Sequence, residues 1–303
     1  MKSESNERVH LPVMAREVLE VLAPARGEKF LDLTVGAGGH AFEIASRLGP
    51  GGMLVGVDLD EEILEIAKQR LSGPGLAKCR LFQANFRDAS GVLADAGLAR
   101  VDGILLDLGV SSLQLGSAER GFSFAQDGPL DMRMDCSHAG RTAADIVNYA
   151  PEAELERIFR EYGEERYARR IAEAVVRKRR DGRITRTREL AEIVRRACPR
   201  PSRRIHPATR VFQALRIEVN DELENLKRVL EVAPGILEPG GRIAVTAFHS
   251  LEDRIVKEDF RSRARQGLYT LIVKKPLRPA EAEVASNPRS RSAKLRAARR
   301  SAL

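Results

Sequence analysis

The sequence predicts an α/β fold in which a mostly parallel, Rossmann-like sheet is interrupted by an inserted helical segment. Short apolar runs alternate with helical patterns in the first third of the chain, and the glycine-rich stretch FLDLTVGAGGH follows the first run. This alternation stops after Asp107 and resumes near Arg242. Alternating strands and helices are typical of a parallel sheet that has helices on both faces.

The first third is predicted to contribute four strands and three helices. The strands are expected at 29–33, 53–57, 80–83 and 101–106, and the helical patterns at about 40–48, 61–71 and 89–96. Apolar runs of this length that alternate with helical patterns indicate buried strands in βαβ units.

Helical periodicity without a convincing strand runs from about 142 to 196 and ends at the proline-rich segment PRPSRRIHPATR. One long amphipathic helix is expected next, with apolar positions from Val211 to Leu230. A strand at 242–247, a helix N-cap at Ser250, a strand at 269–273 and an edge strand near 292–297 complete the prediction. We therefore expect one discontinuous domain at 1–115 and 208–303, and a mainly helical insertion at 116–207.

Composition indicates a soluble globular protein. The 303 residues are 43% hydrophobic and 31% charged, and no apolar stretch is long enough to cross a membrane. The polar start MKSESNERVH does not resemble a secretory signal, so a cytoplasmic protein is expected. Cys79, Cys136 and Cys198 are too far apart for a metal or disulfide motif and are expected to pack as small apolar residues.

Basic residues are concentrated in one part of the chain. The segment from Arg166 to Arg216 has 17 Lys and Arg against four acidic residues, whereas the whole chain has a net charge of +8. Such a patch is typical of a protein that binds a polyanion, and RNA or DNA is favoured over a membrane surface as that partner. A solvated, arginine-rich helical surface is the alternative.

The candidate ligand site lies where the predicted strands end. Gly36, Gly38, Gly39 and His40 follow the first strand, Asp58 the second, Asn85 and Phe86 the third, and Asp107 the fourth. The glycines also fit the loose dinucleotide fingerprint, and Asp58 suits the ribose of NAD or of S-adenosylmethionine. Asp32, inside the first strand, favours a ligand with a cationic amino acid portion, although a carboxylate there could simply accept hydrogen bonds from the turn.

Several long sequence motifs in this chain are unusual enough to be distinctive. They are HLPVM, DLTVGAGGH, GVDLDEE, DGILLDLGVSSLQL, RGFSF, PLDMRMD, RRIHPATRVFQALRIEVNDEL, FHSLEDR and NPRSRSAKLR. Together, from His10 to about Arg296, they closely resemble the bacterial 16S ribosomal RNA cytosine-N4 methyltransferase family. The resemblance implies a class I methyltransferase sheet, S-adenosyl-L-methionine as cofactor, and methylation of a cytosine amino group in 16S rRNA of the small ribosomal subunit, in the decoding-centre region.

The resemblance also implies roles for individual residues. With Asp32 and Gly36 from the turn itself, the expected cofactor-binding residues are Gly38, Gly39, His40, Asp58, Phe86, Asp107 and Gln114. Asp107 is expected to serve the target base as well, and His249 is a second catalytic candidate that could equally be structural. Stacking on the base is assigned to Phe122, Phe124 or Phe248, each of which could instead be core.

Cations on loops beside the site are the RNA-contact candidates, and they could alternatively pair with acids of the chain: Arg133, Arg203, Arg204, His206 and Arg210. No metal is expected, because the four-residue spacing of Asp127, Asp131 and Asp135 does not fit a calcium loop. An apolar helix face leaves a homodimer open. The competing functions are methylation of another RNA or of DNA, and a non-catalytic RNA-binding assembly factor.

Overall fold

The computed structural model describes residues 12–136, 140–199 and 206–302. The chain forms two compact units. The first takes the chain up to Gly109 and again from Asn225 onward, and the second is Val110–Glu224. The second unit is thus longer than the predicted insertion at 116–207, because the helix that follows Pro207 buries Val211 and Leu215 in the core of that unit.

The first unit contains a seven-stranded sheet. Its strands are β1 (Lys29–Asp32), β2 (Met53–Asp58), β3 (Lys78–Gln83), β4 (Val101–Asp107), β5 (Leu237–Ala247), β6 (Tyr269–Leu271) and β7 (Lys294–Arg300). Their order is β3-β2-β1-β4-β5-β7-β6. Strands β1 to β5 pair with one another in parallel, and β7 is antiparallel to both β5 and β6. The predicted α/β class with a mostly parallel sheet is therefore confirmed.

The last strand differs from the prediction. Residues near 292–297 were expected to form an edge strand, but β7 lies between β5 and β6, and β6 is at the edge. The physical reason is burial: Leu295, Ala297 and Ala298 of β7 are almost fully buried. A strand with apolar residues on both faces fits the interior of a sheet better than its edge.

The helices of this unit cover both faces of the sheet. They are α1 (Ala15–Leu22), α2 (Gly39–Leu48), α3 (Glu61–Arg70), α4 (Ala89–Asp95), α12 (Ser250–Arg265) and α13 (Glu281–Ser286), together with most of α11 (Glu222–Ile236). Along β4, Ile104 and Leu106 pack into one apolar core, and Leu105 packs into the other. This alternation follows from the two-residue period of a strand, so β4 is buried on both faces.

The second unit is built from α5 (Ser112–Gly116), α6 (Ala143–Tyr149), α7 (Glu152–Glu161), α8 (Ala168–Lys178), α9 (Thr187–Ala197) and α10 (Ala208–Asn220). The single long helix expected from Val211 to Leu230 is wrong. Asp221 adopts a left-handed conformation with φ of 50°, and its N–H bonds to Ile217 O, so α10 ends there and α11 begins at Glu222. Aspartate tolerates this conformation better than most residues, which explains why apolar periodicity continues across a break.

Two further findings concern exposure and helix length. Cys198 is buried and Cys79 is half-buried, whereas Cys136 is exposed, so the expectation of a packed apolar residue is wrong for Cys136. Among the described residues, no helix has the length and apolar character that crossing a bilayer requires.

Candidate active site

Three carboxylates lie at one edge of the sheet in the first unit. Asp32, Asp58 and Asp107 are the last residues of β1, β2 and β4. These strands are neighbours in the order β2-β1-β4, and they run parallel, so their carboxyl ends meet. The chain also changes direction across the sheet between β1 and β4, and such switch points are where open α/β sheets bind ligands.

The turn between β1 and α2 depends on glycine. Gly36 and Gly38 have φ of 51° and 80°, a region that disfavours residues with a side chain. A Cβ on Gly38 would also lie 3.3 Å from Ala67 Cα. The Gly36 N–H donates to Asp58 Oδ2 at 2.9 Å, which fixes the turn against β2. Gly38 precedes α2 and has no side chain to cap it, so the first amides of α2 can serve a ligand.

Asp32 is a buried carboxylate with one unused oxygen. It is 1% exposed, and its Oδ1 accepts a hydrogen bond from the Thr34 N–H at 3.1 Å. Its Oδ2 has no hydrogen-bond partner among the described residues. Burial raises the pKa of Asp32 to about 7; the nearby His40 imidazole opposes that rise, and the Asp107 and Asp58 carboxylates add to it. An unsatisfied buried oxygen is costly, so Asp32 is suited to a ligand that brings a donor or a positive charge.

Asp107 resembles Asp32 in this respect. Its Oδ1 is buried without a hydrogen-bond partner in the described part of the chain, and its Oδ2 lies 3.5 Å from His40 Nε2. The Asp107 N–H donates to Thr34 Oγ1 at 2.6 Å, which ties the end of β4 to the turn after β1. Burial lowers the pKa of His40, but the carboxylates of Asp107 and Asp32 outweigh it, and the net pKa is raised. The structure therefore brings His40, Asp32 and Asp107 into one charged cluster.

Asp58 is the last residue of β2, and Phe86 follows the next strand of the sheet, β3. Asp58 Oδ2 accepts from the Gly36 N–H, and Oδ1 accepts from the Asp60 N–H at 3.0 Å. Burial raises the pKa of Asp58 to about 6, and these two hydrogen bonds oppose the shift. Asn85 accepts from the Arg87 N–H and caps the short 3-10 helix Phe86–Asp88. Phe86 packs half-buried against one apolar core of the sheet.

His249 is engaged in the cap of α12. Its Nδ1 accepts from the Glu252 N–H at 3.4 Å, while Glu252 Oε2 accepts from the His249 N–H at 3.2 Å. The predicted N-cap at Ser250 is therefore wrong by one residue, since the cap requires an acceptor one position earlier. His249 Nε2 lies 3.1 Å from Glu252 Oε1. The imidazole thus has a structural role whether or not it contacts a substrate.

The remaining sequence-predicted residues belong to the second unit. Gln114 is 5% exposed, and its Oε1 accepts from the Ser111 N–H at 3.0 Å in a capping box that starts α5. Arg133 binds Asp131 with both ends of its guanidinium, at 2.8 Å each. Arg210 is 47% exposed at its side chain and lies 3.8 Å from Glu165 Oε2. His206 packs on Phe124 with ring centroids 4.8 Å apart. Arg203 and Arg204 lie outside the described residues.

The aromatic candidates are largely packed. Phe122 is 7% exposed in the core of the second unit, and Phe124 lies 5.0 Å from Phe212, centroid to centroid. In the first unit, Phe248 lies against Gly109, so that a Cβ on that glycine would be 3.4 Å from the ring. The carboxylates of Asp127 and Asp131 bind Arg186 and Arg133.

Sequence reasoning missed two residues of this edge. Thr34 holds the β4 end through Asp107, and Thr246, opposite Asp107 in the β4–β5 ladder, has a buried Oγ1 with no hydrogen-bond partner among the described residues. For Thr34, the available signal in the sequence was its position in the turn, two residues after Asp32. Nothing in the sequence marked Thr246, because a threonine inside a strand is ordinary.

Comparison with known proteins identifies the family. The sequence profile of the MraW methylase family matches residues 7–301. A protein named ribosomal RNA small subunit methyltransferase H from Syntrophotalea carbinolica is 54% identical, over 96% of this chain and 98% of its own length. A relative of the same name from Geobacter sulfurreducens is 52% identical, over 95% and 98%. The crystal structure of an rRNA methylase from Streptococcus thermophilus aligns over 95% of this chain and 93% of its own, with a TM-score of 0.44 and 11% identity. On its profile match and its full-length relatives, this chain belongs to the MraW methylase family.

Proposed function

We propose that this chain transfers the methyl group of S-adenosyl-L-methionine to the exocyclic N4 amino group of a cytosine in 16S rRNA, in the decoding-centre region. Family membership makes the chain a methyltransferase, and its close relatives are named for the RNA of the small ribosomal subunit. The observation that carries the site assignment is the pair of buried oxygens, Asp32 Oδ2 and Asp107 Oδ1, that lack hydrogen-bond partners among the described residues.

The residues of this edge fit the cofactor in charge and shape. S-adenosylmethionine carries an ammonium and a sulfonium, and a buried carboxylate such as Asp32 is stabilised by a nearby cation. A dinucleotide would instead bring an anionic pyrophosphate to the same place, where Asp32 and Asp107 would repel it. We assign Asp58 to the ribose hydroxyls, Phe86 to the adenine, and the turn of Gly36, Gly38 and Gly39 to close backbone approach. Gln114 is kept as a proposed cofactor contact on the family resemblance alone.

When bound, the cofactor supplies an electrophilic methyl group. The cytosine amino group is a poor nucleophile because its lone pair is delocalised into the ring. We assign to Asp107 Oδ1 the hydrogen bond from an amino proton, which favours rehybridisation of N4 and gives that proton an acceptor once the nitrogen is methylated. His40, 3.5 Å from the other oxygen, keeps this carboxylate in place.

His249 is proposed as the second residue of the catalytic edge. Its cap on α12 fixes the segment directly after β5, the strand that pairs with β4 beside Asp107. Methyl transfer is an in-line displacement, so its rate depends mainly on how precisely the methyl donor and the acceptor nitrogen are positioned. The cap contributes by holding this segment of chain in place. The base-stacking residue remains assigned to one of Phe122, Phe124 and Phe248.

The basic second unit is proposed to bind the RNA. Candidate contacts are Arg203, Arg204, His206 and Arg210, whose cations can bind phosphates while the base is turned into the pocket. Arg133, the remaining sequence candidate, binds Asp131 and is assigned to that internal pair. An RNA substrate of the small subunit is consistent with a cytoplasmic protein. A homodimer is part of the proposal and is tested by light scattering of the purified chain.

Two measurements test the function. Calorimetric titration is expected to give saturable binding of S-adenosylmethionine and none of NADH; binding of NADH alone would contradict the cofactor. Small subunits from cells that lack the protein are expected to lose one N4-methylcytosine, which the purified wild type restores and Asp107→Ala does not. A full complement of N4-methylcytosine in the deleted strain would rule out the RNA substrate. Asp107→Ala should abolish methylation and retain RNA binding. Equal loss of methylation and of RNA binding would contradict the proposal that Asp107 serves the reaction and other residues bind the RNA.

A further inference from the structure

A cationic stripe runs along α12, away from the residues assigned above. Lys257, Arg261 and Arg265 are four residues apart and therefore lie on one face of the helix. Arg261 and Arg265 are exposed, and Lys257 is partly exposed. With Ala264, Glu258 and Leu271 of β6, these three cations line a groove of about 670 Å³.

The stripe differs from the other charges of the same helix. Arg263 binds Asp259 at 2.9 Å and Leu230 O at 3.0 Å, and Asp253 binds both Lys294 and Arg296. Those charges hold α12 to its own unit. Lys257, Arg261 and Arg265 have no ion pair among the residues that the structure describes, and Glu258 is the single acid in the groove lining.

Such a stripe is not explained by helix stability. Like charges four residues apart on a helix destabilise it by roughly 0.2–0.5 kcal/mol per pair, and this stripe contains two such pairs. Glu258 stands three residues before Arg261 but, in the part of the chain that the structure describes, forms no ion pair with it. A cation in the last turn, such as Arg265, interacts favourably with the helix dipole, but Lys257 and Arg261 lie too far from the C-terminus to gain in that way. A bound anion would remove the repulsion.

The position of the stripe points to the kind of anion. The N-cap of α12, His249, lies directly beyond the carboxyl end of β5, so Lys257 lies about 12 Å along the helix from that edge of the sheet. Successive cations of the stripe are about 6 Å apart along the helix axis, a spacing at which neighbouring cations can meet neighbouring phosphates of one strand. The edge strand β6 is followed by the exposed Lys274 and Lys275, which extend the positive surface.

We propose that the α12 stripe of Lys257, Arg261 and Arg265 is a second RNA-docking surface, in the first unit, that binds the sugar-phosphate backbone of the substrate RNA outside the target nucleotide. This inference rests on the proposed RNA substrate and adds a contact that the basic second unit does not provide. The surface supplies affinity and register without reading sequence, because phosphate contacts position a nucleic acid and base contacts specify it.

The test compares three triple variants with the wild type. The first is Lys257→Gln, Arg261→Gln and Arg265→Gln. A charge-keeping variant exchanges Lys and Arg at the same positions. A matched control, Arg16→Gln, Arg47→Gln and Lys68→Gln, removes three exposed cations of the same unit that pair with glutamates on their own helices. Binding to deproteinised 16S rRNA is measured over a range of KCl concentrations, and binding of S-adenosylmethionine reports the integrity of the fold.

The first variant is expected to bind the RNA about 10-fold more weakly or worse, with a log–log salt slope shallower by about 2, while its cofactor affinity is unchanged. The charge-keeping variant and the matched control should resemble the wild type. An unchanged slope in the first variant, or an equal loss in the matched control, would overturn the proposal. Normal binding to free RNA with weaker binding to assembled small subunits would also overturn it, since the partner would then be a ribosomal protein. If the wild type binds neither the free RNA nor the assembled small subunit, the proposed function fails instead.

Discussion

His40 Nε2 lies 3.5 Å from Asp107 Oδ2, and the buried carboxylate of Asp32 lies close enough for the three charges to influence one another. Two carboxylates at the ends of adjacent strands repel each other, and both are costly to bury. A protonated imidazole offsets that repulsion, which is why the pKa of His40 is raised although its burial alone would lower it. The histidine of the glycine-rich turn is therefore an electrostatic partner of the carboxylates that end β1 and β4.

His40→Gln tests this relationship. We expect the variant to transfer methyl groups about 10- to 100-fold more slowly, because the amide brings no positive charge to Asp107. The wild type should lose activity at alkaline pH as His40 deprotonates, and the variant should lack that decline. Single-turnover rates at saturating cofactor, measured from about pH 6 to pH 9, provide the check. An identical alkaline decline in both proteins would assign it to another group.

Asp32→Asn should stabilise the cofactor-free protein. Burial raises the pKa of Asp32 to about 7 from an ordinary value of 3.8, so between these values the folded protein binds a proton that the unfolded chain has released. The stability contributed by this group is full below about pH 4 and is lost as pH rises through about 7. The amide removes this dependence, and at pH 8 we expect the free energy of unfolding to rise by roughly 1–3 kcal/mol in urea titrations.

Asp32→Asn should also weaken the binding of the cofactor. If Asp32 serves the cationic portion of S-adenosylmethionine, affinity in the wild type should increase as pH rises through about 7, and Asp32→Asn should bind weakly at every pH. Asp95→Asn, at an exposed position of α4, is the control and should change neither property. Tight, pH-independent binding by Asp32→Asn would show that Asp32 serves the turn rather than the ligand.

Gly38→Ala tests the turn itself. The substitution forces a left-handed conformation on a residue with a side chain and places its Cβ 3.3 Å from Ala67 Cα. We expect a loss of about 1–2 kcal/mol in stability and weaker cofactor binding, measured by urea unfolding and calorimetry. Gly91→Ala is the matched control. Gly91 lies within α4, where nothing lies within 4 Å of a Cβ, so alanine should stabilise by up to about 1 kcal/mol. If Gly38→Ala and Gly91→Ala changed stability and cofactor binding equally, neither property would depend on the left-handed conformation at Gly38.

The centre of the sheet could be predicted from the sequence because central strands such as β4 are buried on both faces. Apolar runs such as ILL at 104–106 indicate a parallel strand wherever helices alternate with them, and the residues that end those strands were found on the same basis. Asp58 and Asp107 lie at strand ends as expected, whereas Asp32, which was expected inside the first strand, is the last residue of β1. Their common edge follows from parallel topology alone.

Other features depended on tertiary contacts. The break at Asp221 interrupts a pattern whose apolar positions continue without change, so periodicity could not reveal it. The cap at His249 and the partners of Arg133 and Arg210 likewise depend on which side chains the fold brings together. A loop arginine near aspartates in sequence is equally consistent with an RNA contact and with an internal ion pair. The structure separates these cases by geometry.

Arg133 and Arg210, both RNA-contact candidates, should therefore behave differently. Arg133 makes two hydrogen bonds to Asp131 and is 23% exposed at its side chain, and these bonds help hold the pKa of Asp131 below its usual range despite burial. Arg133→Gln should cost about 1–2 kcal/mol of stability and leave the salt dependence of RNA binding nearly unchanged.

Arg210 is 47% exposed and is held by longer contacts, 3.3 Å to Glu164 O and 3.8 Å to Glu165 Oε2, so a phosphate can compete for its guanidinium. Arg210→Gln should weaken RNA binding and lower its log–log salt slope by about 1, with stability within about 0.5 kcal/mol of the wild type. The reverse pattern would assign the phosphate contact to Arg133 and would mean that the Asp131 pair opens when RNA binds.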